Sequence, residues 1–298
     1  MSRLITLIFA LTVWLPVPAH SLKVALSIGI DDYGGYGDLE RAVADASAVA
    51  LTLDDLGYSS SLLPDVTLYE FLDYLDTFTN NLSADDTVVL FFSGHGVNVQ
   101  GANAIIFADH EQVLVEDVLR IIRTGGARTA VLILDACRNY PEQIAVTRSL
   151  SADAPAAFSS TLSGNRGSFI IYSAGAGQYA FDSGGYGDED ANSFFTRELL
   201  KLMPRPHMSI RDLSIELRKN VEAVAAEYGL RQTPAYYDEL VGDFSFAAAG
   251  AAAQPNLTDE DTASPMQSDQ ESVDCDRQSV SFASIVTATA TDSPARCQ

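Results

Sequence analysis

A histidine and a cysteine each follow an apolar segment of this chain. His95 stands between two glycines after residues 88–92, and Cys137 follows residues 130–134. An imidazole beside a thiol can serve as acid or base for a nucleophilic sulfur. Taken singly, a buried cysteine is usually a small hydrophobic residue, and a histidine at a strand end usually packs. Their occurrence at matching ends of consecutive segments favours a catalytic pair.

Secondary-structure patterns place these two side chains at the edge of one sheet. Continuous apolar segments alternate with amphipathic helical patterns, as in a parallel sheet covered on both faces. The predicted strands are 22–30, 58–64, 88–92, 128–136 and 167–174, and the predicted helices are 39–56, 67–82, 114–127, 194–203 and 209–229. Ligands bind at the carboxyl ends of such strands, and consecutive strands are usually neighbours. We therefore expect both side chains on one rim, where Gly94 and Gly96 let the chain turn.

Local signals define further elements. Thr67 is a plausible N-cap for the second helix, and Gly57 ends the first. Residues 97–109 are predicted to form a small hairpin, and residues 242–247 a strand that closes the sheet.

The first 21 residues predict export. Arg3 precedes an apolar segment, residues 4–15, and small residues then allow cleavage after Ala19 or after Ser21. An uncleaved N-terminal anchor is the alternative, although the apolar segment is short for a membrane span. We expect a periplasmic or extracellular protein, with no membrane contact beyond the signal peptide.

The charge balance and the C-terminal composition bound the partners. The sequence has 40 acidic and 18 basic residues, which give a net charge of −22. This charge repels nucleic acid and anionic lipid and suits basic peptides as partners.

Residues 250–298 are rich in Ala, Ser, Thr, Gln and Asp, and this composition predicts a largely disordered tail. Cys275 and Cys297 in that tail could form a disulfide, which would leave Cys137 as the free thiol.

The two segments resemble the histidine and cysteine motifs of the caspase-like clan, which comprises caspases, metacaspases and bacterial caspase-like peptidases. The matching stretches read VVLFFSGHG and ILDACRN. The stretch Asp135-Ala136-Cys137-Arg138-Asn139 departs from the caspase signature on both sides of the cysteine, at Asp135 and at Asn139. The resemblance spans roughly residues 22–247. It implies an α/β fold, a caspase-like three-layer sandwich with a mostly parallel central sheet, and a peptidase domain over residues 22–249.

The resemblance also implies catalytic roles. Cys137 would be the nucleophile, and His95 would activate the attack or protonate the leaving amine. The backbone N–H groups of Gly96 and Cys137 would form an oxyanion hole. No third catalytic carboxylate, no metal and no cofactor is expected.

Three side chains predict a specificity pocket for Arg or Lys. Asp135 and Ser93 stand two residues before Cys137 and His95, so strand alternation puts each on the side of its catalytic neighbour. Asp45 matches, by the resemblance, an acidic pocket position of metacaspases. The alternative is a structural strand-end role for Asp135 and a solvated helix position for Asp45.

An acidic loop and a long polar loop carry two further expectations. Residues 182–192 hold four acids, and some metacaspases need calcium. The spacing of these acids does not match an EF-hand, and a solvated loop is the alternative to a calcium site.

Residues 139–166 carry Arg148 and Arg166, which a basic-specific peptidase could cut in its own chain. Alternatively, both arginines only solvate the loop.

Several functional classes compete. A serine hydrolase would need Gly-x-Ser-x-Gly, but Phe91 stands two residues before Ser93. No phosphate-binding glycine loop follows the first strand. His20 lies in the signal region, and His110 and His207 lie in predicted loops. The sequence therefore predicts a cysteine endopeptidase acting on basic sites of peptides or proteins, with a non-catalytic caspase-like peptide-binding or assembly module as the alternative.

Overall fold

Six strands form the central sheet in this computed structural model, which describes residues 21–35, 37–99, 101–138 and 166–247. The elements in chain order are β1 (Lys23–Gly29), α1 (Ala42–Asp55), β2 (Ser59–Pro64), α2 (Leu68–Thr79), β3 (Thr87–Ser93), β4 (Gly96–Val99), β5 (Ala102–Ile106), β6 (Gln112–Leu114), α3 (Val115–Thr124), β7 (Thr129–Asp135), β8 (Ser168–Tyr172), α4 (Phe194–Leu202), α5 (Ile210–Glu227) and β9 (Ala235–Asp238). The order across the sheet is β2-β1-β3-β7-β8-β9, with the first five strands parallel and β9 antiparallel.

Hydrophobic cores lie on both faces of this sheet. Alternate strand residues point to opposite faces, so a strand buried on both sides must be apolar throughout. One core joins the sheet to α2 and α3 through Leu26, Ile28, Leu90, Phe92, Phe71, Leu75, Leu119 and Ile122. The other joins it to α1, α4 and α5 through Ala25, Val89, Phe91, Val131, Val49, Leu53, Phe195, Leu199 and Leu217. The predicted three-layer α/β sandwich is confirmed.

A small antiparallel sheet of β4, β5 and β6 follows the end of β3. The predicted hairpin is confirmed as β4 and β5, which pair from Gly96 with Ile105 to Val99 with Ala102. Gly101 in the turn has φ +96°, a conformation that glycine adopts without steric cost. The third strand, β6, was not predicted because it is only three residues long.

Helix boundaries follow the predicted signals. The Thr67 hydroxyl accepts the Glu70 N–H, and the Glu70 carboxylate accepts the Thr67 N–H, so the predicted N-cap is confirmed as a capping box. Gly57 follows the end of α1 with φ +83°. α1 begins where the Asp31 carboxylate accepts the N–H groups of Ala42 and Val43.

The prediction that residues 242–247 close the sheet is wrong. The closing strand is β9, where Tyr236 stacks on Phe169 of β8 at a centroid distance of 5.5 Å. In the segment 242–247, the backbone carbonyl of Phe244 accepts the Ile210 N–H at the start of α5, and the Phe246 side chain is buried in the core. A short apolar segment has no periodicity that distinguishes a strand from a packed loop.

Three predicted features lie outside the described residues: the export signal, Arg148 in the long loop, and the tail with Cys275 and Cys297. Among the helices of the described ranges, none has the length and hydropathy of a membrane span.

Candidate active site

The pairing of β3 with β7 brings His95 and Cys137 together. Ser93 is paired with Asp135, and the Gly94 N–H donates to the Asp135 carbonyl over 3.1 Å. His95 and Cys137 each stand two residues beyond this pair, and both line one cavity of about 180 Å³. The sequence expectation of a shared rim agrees with this placement.

Close backbone packing explains the glycine that follows His95. A Cβ atom on Gly96 would lie 2.7 Å from the Cys137 carbonyl oxygen and 2.8 Å from the Ala136 Cβ atom. Only glycine therefore allows these two segments to approach so closely beyond the strands. The residues expected to supply the oxyanion hole, Gly96 and Cys137, are thus in direct contact.

The His95 side chain is oriented by a backbone carbonyl. Its Nε2 atom lies 2.6 Å from the carbonyl oxygen of Gly37. Because a carbonyl oxygen can only accept, Nε2 carries the proton, and the neutral imidazole keeps Nδ1 as the acceptor. Gly37 has φ +95°, which favours glycine at this position.

Tyr33 holds the same histidine from a second direction. Its ring lies 4.5 Å from the imidazole centroid, and its hydroxyl accepts the His95 backbone N–H over 2.8 Å. That hydroxyl in turn donates to the Ile106 carbonyl over 3.2 Å. Sequence reasoning missed both Tyr33 and Gly37, although their glycine-rich loop follows β1 on the same rim.

Burial holds the Cys137 thiol in its protonated form. Its Sγ atom lies 3.6 Å from the Ala180 carbonyl oxygen, to which the thiol donates. Burial raises the pKa of the Cys137 thiol, because a thiolate loses solvation there. His95 lines the same cavity, and its Nδ1 atom is an acceptor in the tautomer that donates to Gly37.

Asp45 lies behind the wall of the cavity. It is fully buried, so the alternative of a solvated helix position is wrong. The Ser93 hydroxyl donates to its Oδ2 atom over 3.1 Å. The Asn192 side chain and the Ser193 N–H each donate to its Oδ1 atom over 3.0 Å. Burial, and then the negative charge of Asp135, raise the pKa of Asp45 to about 8.

Asp135 lines the cavity itself. The Ser193 hydroxyl donates to its Oδ2 atom over 2.5 Å, and the Thr196 hydroxyl donates to the same atom over 3.1 Å. Burial raises the pKa of Asp135 to about 6, while these hydrogen bonds act in the opposite direction. Ser93, the third predicted pocket residue, also lines the cavity.

A third acid, Asp182, faces the same cavity. The sequence had placed it only in the loop considered for calcium. Burial raises its pKa, and the Glu40 N–H donates to its carboxylate over 3.3 Å. Among the described residues that line the cavity, none is a lysine or an arginine. The acids that line the cavity therefore have no lysine or arginine beside them in the lining, which does include the imidazole of His95.

Two acids of the loop considered for calcium contact arginine instead. Asp188 binds Arg41 and Arg197, and Asp190 lies 3.7 Å from Arg197. Within the described ranges, no group of three or more His, Cys, Asp or Glu side chains is arranged to hold a metal ion.

Comparison with known proteins decides the family. A family model described as the caspase domain matches residues 22–245. The chain belongs to the caspase domain family. Its fold agrees with solved caspases: caspase-1 from Spodoptera frugiperda (TM-score 0.57, 11% identity, 78% of this chain and 92% of that chain) and the Drosophila initiator caspase Dronc (TM-score 0.52, 17% identity, 75% and 82%).

Two curated relatives of this caspase-domain protein align over a shorter stretch. They are the human mucosa-associated lymphoid tissue lymphoma translocation protein 1 and its Mus musculus homologue, each 25% identical over 151 residues. The alignment covers 47% of this chain and only 18% of each relative. The chain thus belongs, by the family model, to the caspase-domain family of cysteine peptidases, and it spans only a small part of those two relatives.

Proposed function

We propose that this protein is a cysteine endopeptidase that uses a Cys137–His95 dyad and cleaves after Arg or Lys. The observation that carries the proposal is the alignment of His95 and Cys137, each two residues beyond the paired Ser93 and Asp135, over one acidic cavity. Membership of the caspase domain family supports the same reaction class.

The chemistry follows from the orientation of His95. Nδ1 takes the Cys137 proton while the sulfur attacks the peptide carbonyl carbon, and the Gly37 carbonyl stabilises the resulting imidazolium through Nε2. The oxyanion would be held by the N–H groups of Gly96 and Cys137. His95 then gives its proton to the leaving amine, which breaks the C–N bond and leaves a thioester. Water attacks the thioester with His95 as base, and the thiol is restored.

The specificity rests on the charge of the pocket. Asp135 and Asp182 line the cavity, and Asp45 lies directly behind Ser93. A guanidinium or ammonium group entering this site supplies the positive charge that the carboxylates lack, and such charge-assisted hydrogen bonds are stronger than neutral ones. An aspartate side chain would instead be repelled. The substrate class is therefore basic at the residue before the cleaved bond.

A panel of fluorogenic peptides tests this proposal. Peptides identical except for a final Arg, Lys, Asp or norleucine are offered to the wild type and to Cys137→Ala, with calcium and with a chelator. We expect cleavage after Arg and Lys by the wild type alone; the calcium arms decide whether the ion is needed. Cleavage after Asp in preference to Arg would contradict the pocket assignment. Binding of Arg peptides without any turnover would favour the non-catalytic module.

Export is a separate proposal that rests on residues 1–21 of the sequence. Expression of the full chain in a bacterial host, followed by N-terminal sequencing of the exported fraction, tests it. A mature chain that begins after Ala19 or Ser21 supports cleavage, whereas an intact N-terminus in the membrane fraction supports the anchor.

A further inference from the structure

A buried aspartate outside the cavity joins two arginines. The Asp188 side chain is only 2% exposed. The Nη1 atom of Arg41 lies 2.9 Å from its Oδ2 atom, and the Nη2 atom of Arg197 lies 3.0 and 2.8 Å from its two oxygens. Both guanidinium groups are themselves largely buried, at 13% and 10% exposure. Such charges are removed from water, so this cluster depends on its pairing.

Each arginine belongs to an element that carries part of the acidic pocket. Arg41 immediately precedes α1, whose first turn contains Asp45. Its Nη1 atom also donates to the backbone carbonyl of Asp182 over 3.2 Å. One aspartate thus ties the start of α1 to the segment that carries Asp182.

Arg197 makes the corresponding connection on α4. Its Nη2 atom donates to the Asn192 carbonyl over 2.9 Å. Asn192 and Ser193 bind the Asp45 carboxylate, and the Ser193 hydroxyl also binds Asp135. Asp188 is therefore connected, through two arginines, to the backbone of Asp182 and to the residues that bind the Asp45 and Asp135 carboxylates.

The loop around Asp188 is fixed on its other side as well. The Gly184 N–H donates to the Asp188 carboxylate over 2.8 Å. A Cβ atom on Gly184 would lie 2.3 Å from the Tyr228 ring, which stacks on Phe194 at a centroid distance of 5.3 Å. Burial disfavours ionisation of Asp188, but hydrogen bonds from Arg197, Gly184 and Arg41 prevail and lower its pKa. The carboxylate is thus charged when the loop is in place.

We propose that Asp188 is a positioning residue that sets the preference for arginine, because it fixes the pocket acids and keeps Arg41 and Arg197 away from them. This inference rests on the proposed peptidase function. Arg41 is close enough for its charge to lower the pKa of Asp182, against the larger effect of burial. Without the Asp188 charge, the Arg41 guanidinium becomes a competitor for the acids that should bind the substrate.

Two alkylating reagents separate this role from general stability. An arginyl chloromethyl ketone needs both the pocket and the thiol, whereas iodoacetamide needs only the thiol. The rate of modification at Cys137 is read by mass spectrometry of the tryptic peptide 129–138, which excludes the tail cysteines. The matched control is Glu189→Gln, which removes one negative charge from the exposed neighbouring position.

In Asp188→Asn we expect the arginyl ketone to react at least about tenfold more slowly, since small displacements of positioning groups are costly. Iodoacetamide should react at the wild-type rate, and Glu189→Gln should match the wild type with both reagents. Wild-type rates with both reagents in Asp188→Asn overturn the proposal. An equal loss of rate with both reagents also overturns it, since that result indicates a structural role only.

A second variant serves if Asp188→Asn does not fold. Arg41→Gln keeps the Arg197 pair but removes the link from Asp188 to the start of α1 and to the Asp182 segment. Because the positioning of the acids is lost, the proposal predicts a reduced arginyl preference with unchanged iodoacetamide reactivity; an unchanged or increased preference overturns it. Failure of the proposed function has a different signature. In that case the wild type would not hydrolyse Arg peptides. The ratio of the arginyl ketone rate to the iodoacetamide rate, compared between Asp188→Asn and the wild type, would still show whether Asp188 affects the pocket.

Discussion

Asp45 and Asp135, which lie on a helix and on a strand, share a single partner in Ser193. The Ser193 N–H donates to Asp45 over 3.0 Å, and its hydroxyl donates to Asp135 over 2.5 Å. Two buried carboxyl groups are thereby held close together at a cavity that has no lysine or arginine among its described lining residues. The ionisation of one opposes the ionisation of the other, so their protons are lost in coupled steps.

This pair predicts that arginine binding strengthens as the pH rises. Both pKa values are raised, to about 8 for Asp45 and about 6 for Asp135, so the carboxyls are partly neutral below these values. Acetyl-arginine amide should bind the inactive Cys137→Ala protein more tightly at pH 8 than at pH 5, by up to about tenfold for each pH unit titrated. Calorimetry measures this, with acetyl-citrulline amide as the neutral control. Equal pH dependence of the two ligands would contradict the prediction.

For the protein alone, without arginine ligand, the same two carboxyls predict that the free energy of unfolding falls as the pH rises. A carboxyl whose pKa is higher in the folded chain stabilises the fold at low pH, and that contribution is lost as the pH rises through the folded value. Urea unfolding should therefore show stability falling between about pH 4 and pH 8. Asp45→Asn should flatten this loss, with a relative gain at pH 8 on the order of a few kcal/mol. Parallel pH profiles for the two proteins would show that Asp45 does not carry the effect.

Tyr33 predicts an effect on turnover. Tyr33→Phe leaves the His95 N–H and the Ile106 carbonyl without the hydroxyl that joins them, at a cost of about 1–3 kcal/mol of stability. The imidazole is then less well positioned, and kcat should fall by about tenfold or more with little change in KM. Steady-state kinetics on an Arg peptide measures this. Tyr69→Phe, at a position 79% exposed, is the control and should match the wild type. A change in KM alone would argue against a role in orienting His95.

The sequence predicted the parts of the site that have a local signal. His95 and Cys137 were found because each ends a continuous apolar strand, and two such strands meet at one rim. The Gly37 carbonyl could not be found in this way, since every residue has a carbonyl and only the folded loop selects this one. Asp182 and Ser193 reach the pocket through the path of the loop before α4, and strand and helix periodicity carries no information about that path.

Self-cleavage in the long loop that follows Cys137 remains a prediction for Arg148. Arg166 is the weaker site, because Gly167 has φ +94° and its N–H donates to the Glu239 carbonyl over 2.6 Å, which fixes the bond that would be cut. Intact-mass analysis of the wild type, Cys137→Ala and Arg148→Gln tests this. We expect fragments ending at Arg148 in the wild type alone. An uncut wild type that hydrolyses Arg peptides would show that the arginines only solvate the loop.

The central claim is that Cys137 forms a thioester with an arginyl substrate, and one mass measurement tests it most directly. The wild type is mixed with an arginine ester, quenched in acid during turnover and digested with pepsin at low pH, and the mass of the peptide that contains Cys137 is measured. The account predicts an added arginyl acyl group on Cys137, its absence in Cys137→Ala, and loss of turnover in that variant. Continued turnover by Cys137→Ala, or an acyl group on another residue, would contradict the account.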